Sequence, residues 1–213
     1  MKNYRNIALS CLMIVALGFM SSCGGKVTKK AVKKGEVFKA SIEDFEKNRM
    51  KFSEQVTESI NDANQALQEE DPNTENISKD FEKEWNDIQR RYEKMKKDFD
   101  DVGKSSNAYF EHLNELASGI NREDLRKSEL QKNQELLVKW EKKYSQATVD
   151  IEKVDKVLLE GNDFHRVLLL SSVRDKIQEN VNDLERISTQ AKDLLDDLKA
   201  FTDAGRELVQ NEG

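Results

Sequence analysis

From Phe38 onward, apolar residues recur in alternating steps of three and four, the spacing that lines one face of an α-helix. The first run is Phe38, Ile42, Phe45, Phe52, Val56, Ile60, Ala63 and Leu67, interrupted by Arg49, and it predicts a helix over about Glu36 to Glu70. Asp71, Pro72 and Asn73 end it, because proline lacks an amide hydrogen and biases the preceding residue away from helix. The second run is the most regular: Ile77, Phe81, Trp85, Ile88, Tyr92, Met95, Phe99, Val102, Ser106, Tyr109, Leu113 and Leu116. A stripe sustained over that length favours coiled-coil packing, with a soft point at Gly103, Ser105 and Ser106. Ser118 and Gly119 close the second helix, and Asn121 with Asp124 resembles an N-cap opening the third.

The third stripe carries Leu130, Asn133, Leu137, Trp140, Tyr144, Ala147, Ile151, Val154 and Leu158. Asn133 stands where a polar residue fixes register at a cost in stability. Gly161 and Asn162 predict a break and Asp163 a cap. The fourth helix then passes through Leu170, Val173, Ile177, Val181, Leu184, Ser188, Ala191, Leu195, Leu198 and Phe201 to about Val209. Around Val167 to Leu170 apolar residues cover more than one face, which predicts the most buried stretch. Long helices with short breaks fold back as antiparallel neighbours. The expected fold is therefore all-α, an elongated antiparallel bundle or coiled coil of about four helices, each roughly 50 to 70 Å long. The start of the first helix, the turn at Ser118 to Asn121 and the C-terminus would share one end, with Asp71 to Asn76 and Gly161 to Asp163 at the other.

Composition supports this: 213 residues suit one domain, and 36% charged against 37% hydrophobic residues, with nine glycines and one proline, disfavour an all-β fold. It does not account for the first 23 residues. Lys2 and Arg5 precede an apolar run from Ile7 to Met20, followed by Ser21, Ser22 and Cys23. A positive start, a short apolar core and small residues before a cut are the marks of an export signal, too short for a stable membrane-spanning helix. A large apolar residue, two small ones and cysteine resemble the lipobox of bacterial lipoproteins, with Met20 where leucine is commonest. The resemblance implies a diacylglycerol on the Cys23 thiol and Cys23 as the mature N-terminus. A plain secretory signal or an uncleaved anchor would leave Cys23 without a purpose. Three segments follow: a signal at 1–22, lipidated Cys23 with a lysine-rich tether to 35, and a helical body over 36–213. Cys11 would leave with the signal, so no disulfide, thiolate metal site or cysteine nucleophile is expected.

Charge divides along the same boundaries. Loss of residues 1–22 removes two cations and no acid, taking the net charge from -6 to -8. The tether holds Lys26, Lys29, Lys30, Lys33 and Lys34 and no acid, which leaves -13 on the body. Lysines beside an acyl anchor add about 1 kcal/mol each at an anionic surface; the same composition also suits a solvated linker. An acidic body argues against a nucleic-acid partner.

Catalytic chemistry is sparse. The two histidines are His112 and His165. His112 with Glu115 gives one His-x-x-Glu pair, read as an exposed polar face because a di-metal bundle needs two such motifs and further carboxylates. His165, two residues after Asp163, is read as a capping or surface residue. Asp71, Asn73 and Glu75 alternate as in a calcium loop, and Glu82 answers the twelfth position, but no glycine stands sixth. Asp100 with Asp101 and Asp196 with Asp197 read as solvated faces. Phosphate-loop, serine-elbow and zinc-protease motifs are missing from the sequence. Trp85 and Trp140 fall on apolar stripes, favouring core packing over sugar stacking. No metal and no cofactor are expected.

Further resemblance narrows the setting. Gly24 after the cysteine is similar to lipoproteins sent to the outer membrane of Gram-negative bacteria, and the Ser-Cys-Gly-Gly junction resembles Bacteroidetes lipoproteins. Surface-export signals there are acidic after the cysteine, so the lysine-rich tether implies a periplasm-facing protein. Phe81 to Val173, notably Ile120-Asn121, Asp124-Leu125-Arg126, Lys153-Val154-Asp155 and Val157-Leu158, are similar to an uncharacterised coiled-coil lipoprotein-like family. The expected function is a non-catalytic, membrane-anchored spacer or interaction module with an envelope-protein or cell-wall partner. The alternative is a bundle housing a lipid or small apolar molecule, with Ser106 and Asn133 marking a gap in its core.

Overall fold

The stripes fold into four helices, α1 (Gly24–Leu67), α2 (Thr74–Ser118), α3 (Glu123–Arg174) and α4 (Ile177–Gln210). The computed structural model describes the backbone of residues 24–174 and 177–210, with side chains over 33–170 and 180–210. Each helix packs on its sequence neighbours and α4 returns to α1, while among the described residues the diagonal helices meet through side chains across the core and not through close backbone approach. This is an antiparallel four-helix bundle, and at 1.5 Å per residue its 34- to 52-residue helices measure about 50 to 80 Å.

The core is a stack of layers filled largely by aromatic rings. Near the base, Phe38 meets Tyr109 and Trp140 at centroid distances of 5.6 and 5.1 Å. One layer higher, all four helices contribute: Phe201 lies 5.9 Å from Phe45, 5.5 Å from Phe99 and 5.1 Å from Trp140, while Tyr144 stacks flat on Phe99 at 4.6 Å. Phe52 packs on Tyr92 above this, and Phe81 with Trp85 and Phe164 closes the upper core. Such pairs add about 0.5–1.5 kcal/mol each beyond the area they bury. The predicted stripe of α1 is buried from Phe38 to Leu67, and that of α2 from Ile77 to Tyr109.

Two local expectations fail. The third helix does not break at Gly161, Asn162 and Asp163; α3 runs through them to Arg174, and α4 begins at Ile177. Gly161 is instead where the Trp85 indole lies against α3, so closely that a Cβ there would overlap the ring. Gly103 plays the same part for the Tyr144 phenol, and α2 continues helical past it. Val167 to Leu170 is not the most buried stretch: Leu168 is fully buried, but Leu169 and Leu170 are 43% and 52% exposed. Ser78 bonds His165, four residues from the start of α2 and nine from the end of α3, so α3 outruns α2 by about five residues, roughly 7 Å. Past that level α2 offers no cover. Val173 and Ile177 have side chains outside the described residues.

At the base the mismatch is reversed. Gly205 of α4 lies against Ile42 and Trp140, and the described α4 ends at Gln210, while α1 extends from Ile42 back to Gly24. The first turns of α3 therefore lie past the described end of α4, where Leu125 is exposed and Leu130 half-buried.

Candidate functional site

Cys23 and Cys11 lie outside the described residues, as does the apolar run Ile7 to Met20. The tether does not. The sequence leaves open a head-group-contacting tether or a solvated linker; α1 begins at Gly24 and carries residues 26–34 in its first turns. A helix has no rule against lysine, a good helix former, and residues 24–35 contain no proline. In helical geometry positions 26, 29, 30, 33 and 34 follow an i, i+3, i+4, i+7, i+8 series and share one face. Lys33 is exposed and Lys34 half-buried. Among the described residues no helix is long and apolar enough to cross a membrane.

Arg49, the interruption in the first stripe, is 6% exposed and belongs to a sealed polar network. Its Nε and Nη2 donate to Glu46 Oε2 and Oε1 at 2.6 and 2.9 Å, and Nη1 donates to the Leu195 carbonyl at 2.9 Å. The Thr202 hydroxyl adds a 3.0 Å bond to Glu46. Burial pushes the Glu46 carboxyl up, but the hydrogen bonds and charge of Arg49, with the Thr202 bond, outweigh it and hold the carboxyl below its ordinary value. Each guanidinium nitrogen of Arg49 and each carboxylate oxygen of Glu46 has a partner on α1 or α4, so the cluster fixes the register of that helix pair. Sequence spacing alone gave a signal for it: Glu46 and Arg49 are i, i+3 partners straddling the apolar stripe.

The two histidines are far from each other and differ from expectation. His112 is buried at 5% exposure rather than on a solvated face; Nδ1 pairs with Glu115 at 2.8 Å, and Nε2 has no hydrogen-bond partner among the described residues. It follows the buried Tyr109 by one helical turn and so shares its inward-facing side of α2. His165 is not in the first turn of α4 but well inside α3, where Nδ1 bonds the Ser78 hydroxyl at 3.0 Å and Nε2 stands 3.8 Å from Glu82. It ties α2 to α3. Asn73 acts as the N-cap of α2, accepting from Asn76 N–H at 3.0 Å, and Glu75 pairs with Lys79. α3 opens at Glu123 with Arg122, not Asn121, supplying the first carbonyl, to Arg126 N–H at 2.9 Å. No group of three potential metal ligands occurs among the described residues.

Trp85 and Trp140 are core residues at 2% and 3% exposure, and Trp85 Nε1 donates to the Leu158 carbonyl at 3.0 Å. The two positions proposed to mark an internal gap are packed. Ser106 bonds the Gly103 carbonyl at 2.9 Å, and Asn133 donates to Asn114 at 3.2 Å. Concave surface lies on the outside instead. The largest groove described, about 780 Å³, runs between α3 and α4 near the base, with Leu136, Trp140, Ala204 and Leu208 as its floor and Lys139, Lys142 and Lys143 along its rim. Sequence reasoning missed these lysines because, on a 52-residue helix with many charges, only the position of α4 distinguishes them from any other solvated face.

Comparison with protein-family models, with curated proteins and with solved structures finds no match to this chain.

Proposed function

We propose that the protein is a lipid-anchored envelope protein that acts without catalysis, as a stiff spacer or docking post between a membrane and an envelope-protein or cell-wall partner. On this reading the lipid is carried by Cys23 and the helical body faces the periplasm from the outer membrane. The observation that carries it is the start of α1 at Gly24, the residue after Cys23, and its unbroken course to Leu67. A lipid at Cys23 is then joined to a rod of about 66 Å with no intervening loop, so the anchor sets the position of the far end as well as the membrane.

Charge supports the same arrangement. Positions 26, 29 and 30 lie within about 10 Å of Cys23 along the helix, one Debye length at an ionic strength of about 0.1 M, whereas positions 33 and 34 lie beyond it. Lysines near the anchor are drawn to anionic head groups, and the body, at -13, is repelled by them. Attraction at the base and repulsion along the shaft favour an upright rod. The test is fractionation of cells expressing Cys23→Ser. The variant should leave washed membranes for the soluble fraction, and its persistence in the membrane fraction would overturn the anchor.

A further inference from the structure

The α3–α4 groove near the base combines features that a merely solvated face does not need. Its floor is apolar and continuous across two helices: Leu136 and Trp140 come from one, Ala204 and Leu208 from the other. Leu136, Ala204 and Leu208 are half-buried, so apolar surface remains for a partner to cover. Lys139, Lys142 and Lys143 are exposed on its rim and form no ion pair among the described residues. Glu207 is the one carboxylate lining it, in a body whose net charge is -13. A positive rim on an acidic body selects against most of the protein's own surface and for an acidic partner.

We infer that this groove is a docking site for an acidic amphipathic helix of a partner protein. The lining runs from position 136 to 146 of α3, about 15 Å or three turns, long enough to seat an incoming helix with anchors at i, i+3, i+4 and i+7. Carboxylates flanking those anchors meet the three lysines. A small ligand fits less well, since pockets for such molecules enclose most of the ligand surface, and this groove is only partly enclosed. The inference gives a chemistry to the partner in the proposed function, but it rests on the groove and not on the lipid, so fractionation of Cys23→Ser and the binding test below can fail separately.

The test uses the full chain in phosphatidylcholine vesicles, with protein-free vesicles as the blank, and a fluorescein-labelled 18-residue helical peptide bearing leucine anchors flanked by glutamates. Anisotropy should show saturable binding that weakens at least tenfold from 50 to 500 mM salt. Replacing Lys139, Lys142 and Lys143 together by Glu should weaken binding at least tenfold while leaving helical content and melting temperature unchanged, because all three are exposed. The same peptide with lysines in place of glutamates should not bind. Equal binding of both peptides, or full binding by the triple variant, overturns the inference. So does absent peptide binding accompanied either by saturable uptake of a dansylated fatty acid that Leu208→Asp abolishes, which makes the groove an acyl site, or by a dimer that the triple variant dissolves, which makes it a self-interface.

Discussion

Replacing Gly161 by Ala separates two accounts of the same residue by the sign of a stability change. In a helix interior free of neighbours, alanine at this position would stabilise by about 1 kcal/mol. In the bundle a Cβ there overlaps the Trp85 indole, whose ring atoms are the rigid body of a 2%-exposed side chain and not a movable tip. Trp85 is also held by a 3.0 Å bond to the Leu158 carbonyl and a 5.0 Å stack on Phe81, so it cannot retreat without loosening both. Overpacking costs about 1–3 kcal/mol, and the weakened hydrogen bond about 1. Set against the propensity gain, Gly161→Ala should destabilise by about 2 kcal/mol. With a urea m-value of about 2 kcal/mol/M, the midpoint followed by far-UV circular dichroism falls by about 1 M. The double variant Gly161→Ala, Trp85→Phe should recover part of the loss relative to Trp85→Phe alone, because the smaller ring makes room. An unchanged or higher midpoint for Gly161→Ala would refute the close packing of α2 on α3 at this level.

Further outcomes follow from the interior and the anchor. Arg49→Ala strands the Glu46 carboxylate in the core and should cost about 3–5 kcal/mol in urea unfolding, whereas Arg49→Met with Glu46→Leu should cost far less, since an apolar pair of similar volume removes both charges. Because the folded Glu46 carboxyl sits below its unfolded value, its contribution is complete above about pH 4.3 and is lost as pH falls through the folded value. Glu46→Gln should therefore flatten the acid limb of a stability-against-pH curve, and an identical limb would contradict the network. Tyr92→Phe removes a 2.6 Å bond to the Ile151 carbonyl and should destabilise by about 1 kcal/mol by thermal or urea unfolding. Replacing Lys26, Lys29 and Lys30 by Glu should increase release from anionic vesicles more than replacing Lys33 and Lys34 does; equal effects in a sedimentation assay would argue for a rod lying flat.

The helix faces were legible because burial follows periodicity. Every apolar residue assigned to the stripe of α1 is buried, and so are those of α2 from Ile77 to Tyr109. The pattern fails where the bundle is not four helices thick. Leu130 keeps stripe spacing but lies past the described end of α4, and Leu170 lies beyond the start of α2. No local sequence signal reports the length of a neighbouring helix. Gly161 misled for a different reason. Gly-Asn-Asp is a turn signal, yet the same missing Cβ admits a large ring from another helix, and only the position of Trp85 distinguishes the two uses.

The candidate sites show the same division. The lysine series was visible as composition, but its common face depends on α1 beginning at Gly24, which a basic, glycine-flanked tether does not advertise. Arg49 was visible as an interruption, and its buried partner Glu46 was not singled out because both carry charge that usually faces water. The burial of His112 and the bridging place of His165 between α2 and α3 depend on register between helices, which the sequence of either helix does not contain.

The account turns on a lipid joined to the first turn of a helical rod. Intact mass spectrometry of the protein purified from membranes of cells that express it tests this most directly. The account predicts a chain beginning at Cys23 and heavier than its amino-acid sequence by a thioether-linked diacylglycerol, a mass that reverts to the bare polypeptide in no membrane-derived sample. A membrane-derived chain that begins elsewhere, or begins at Cys23 without added lipid mass, would contradict it.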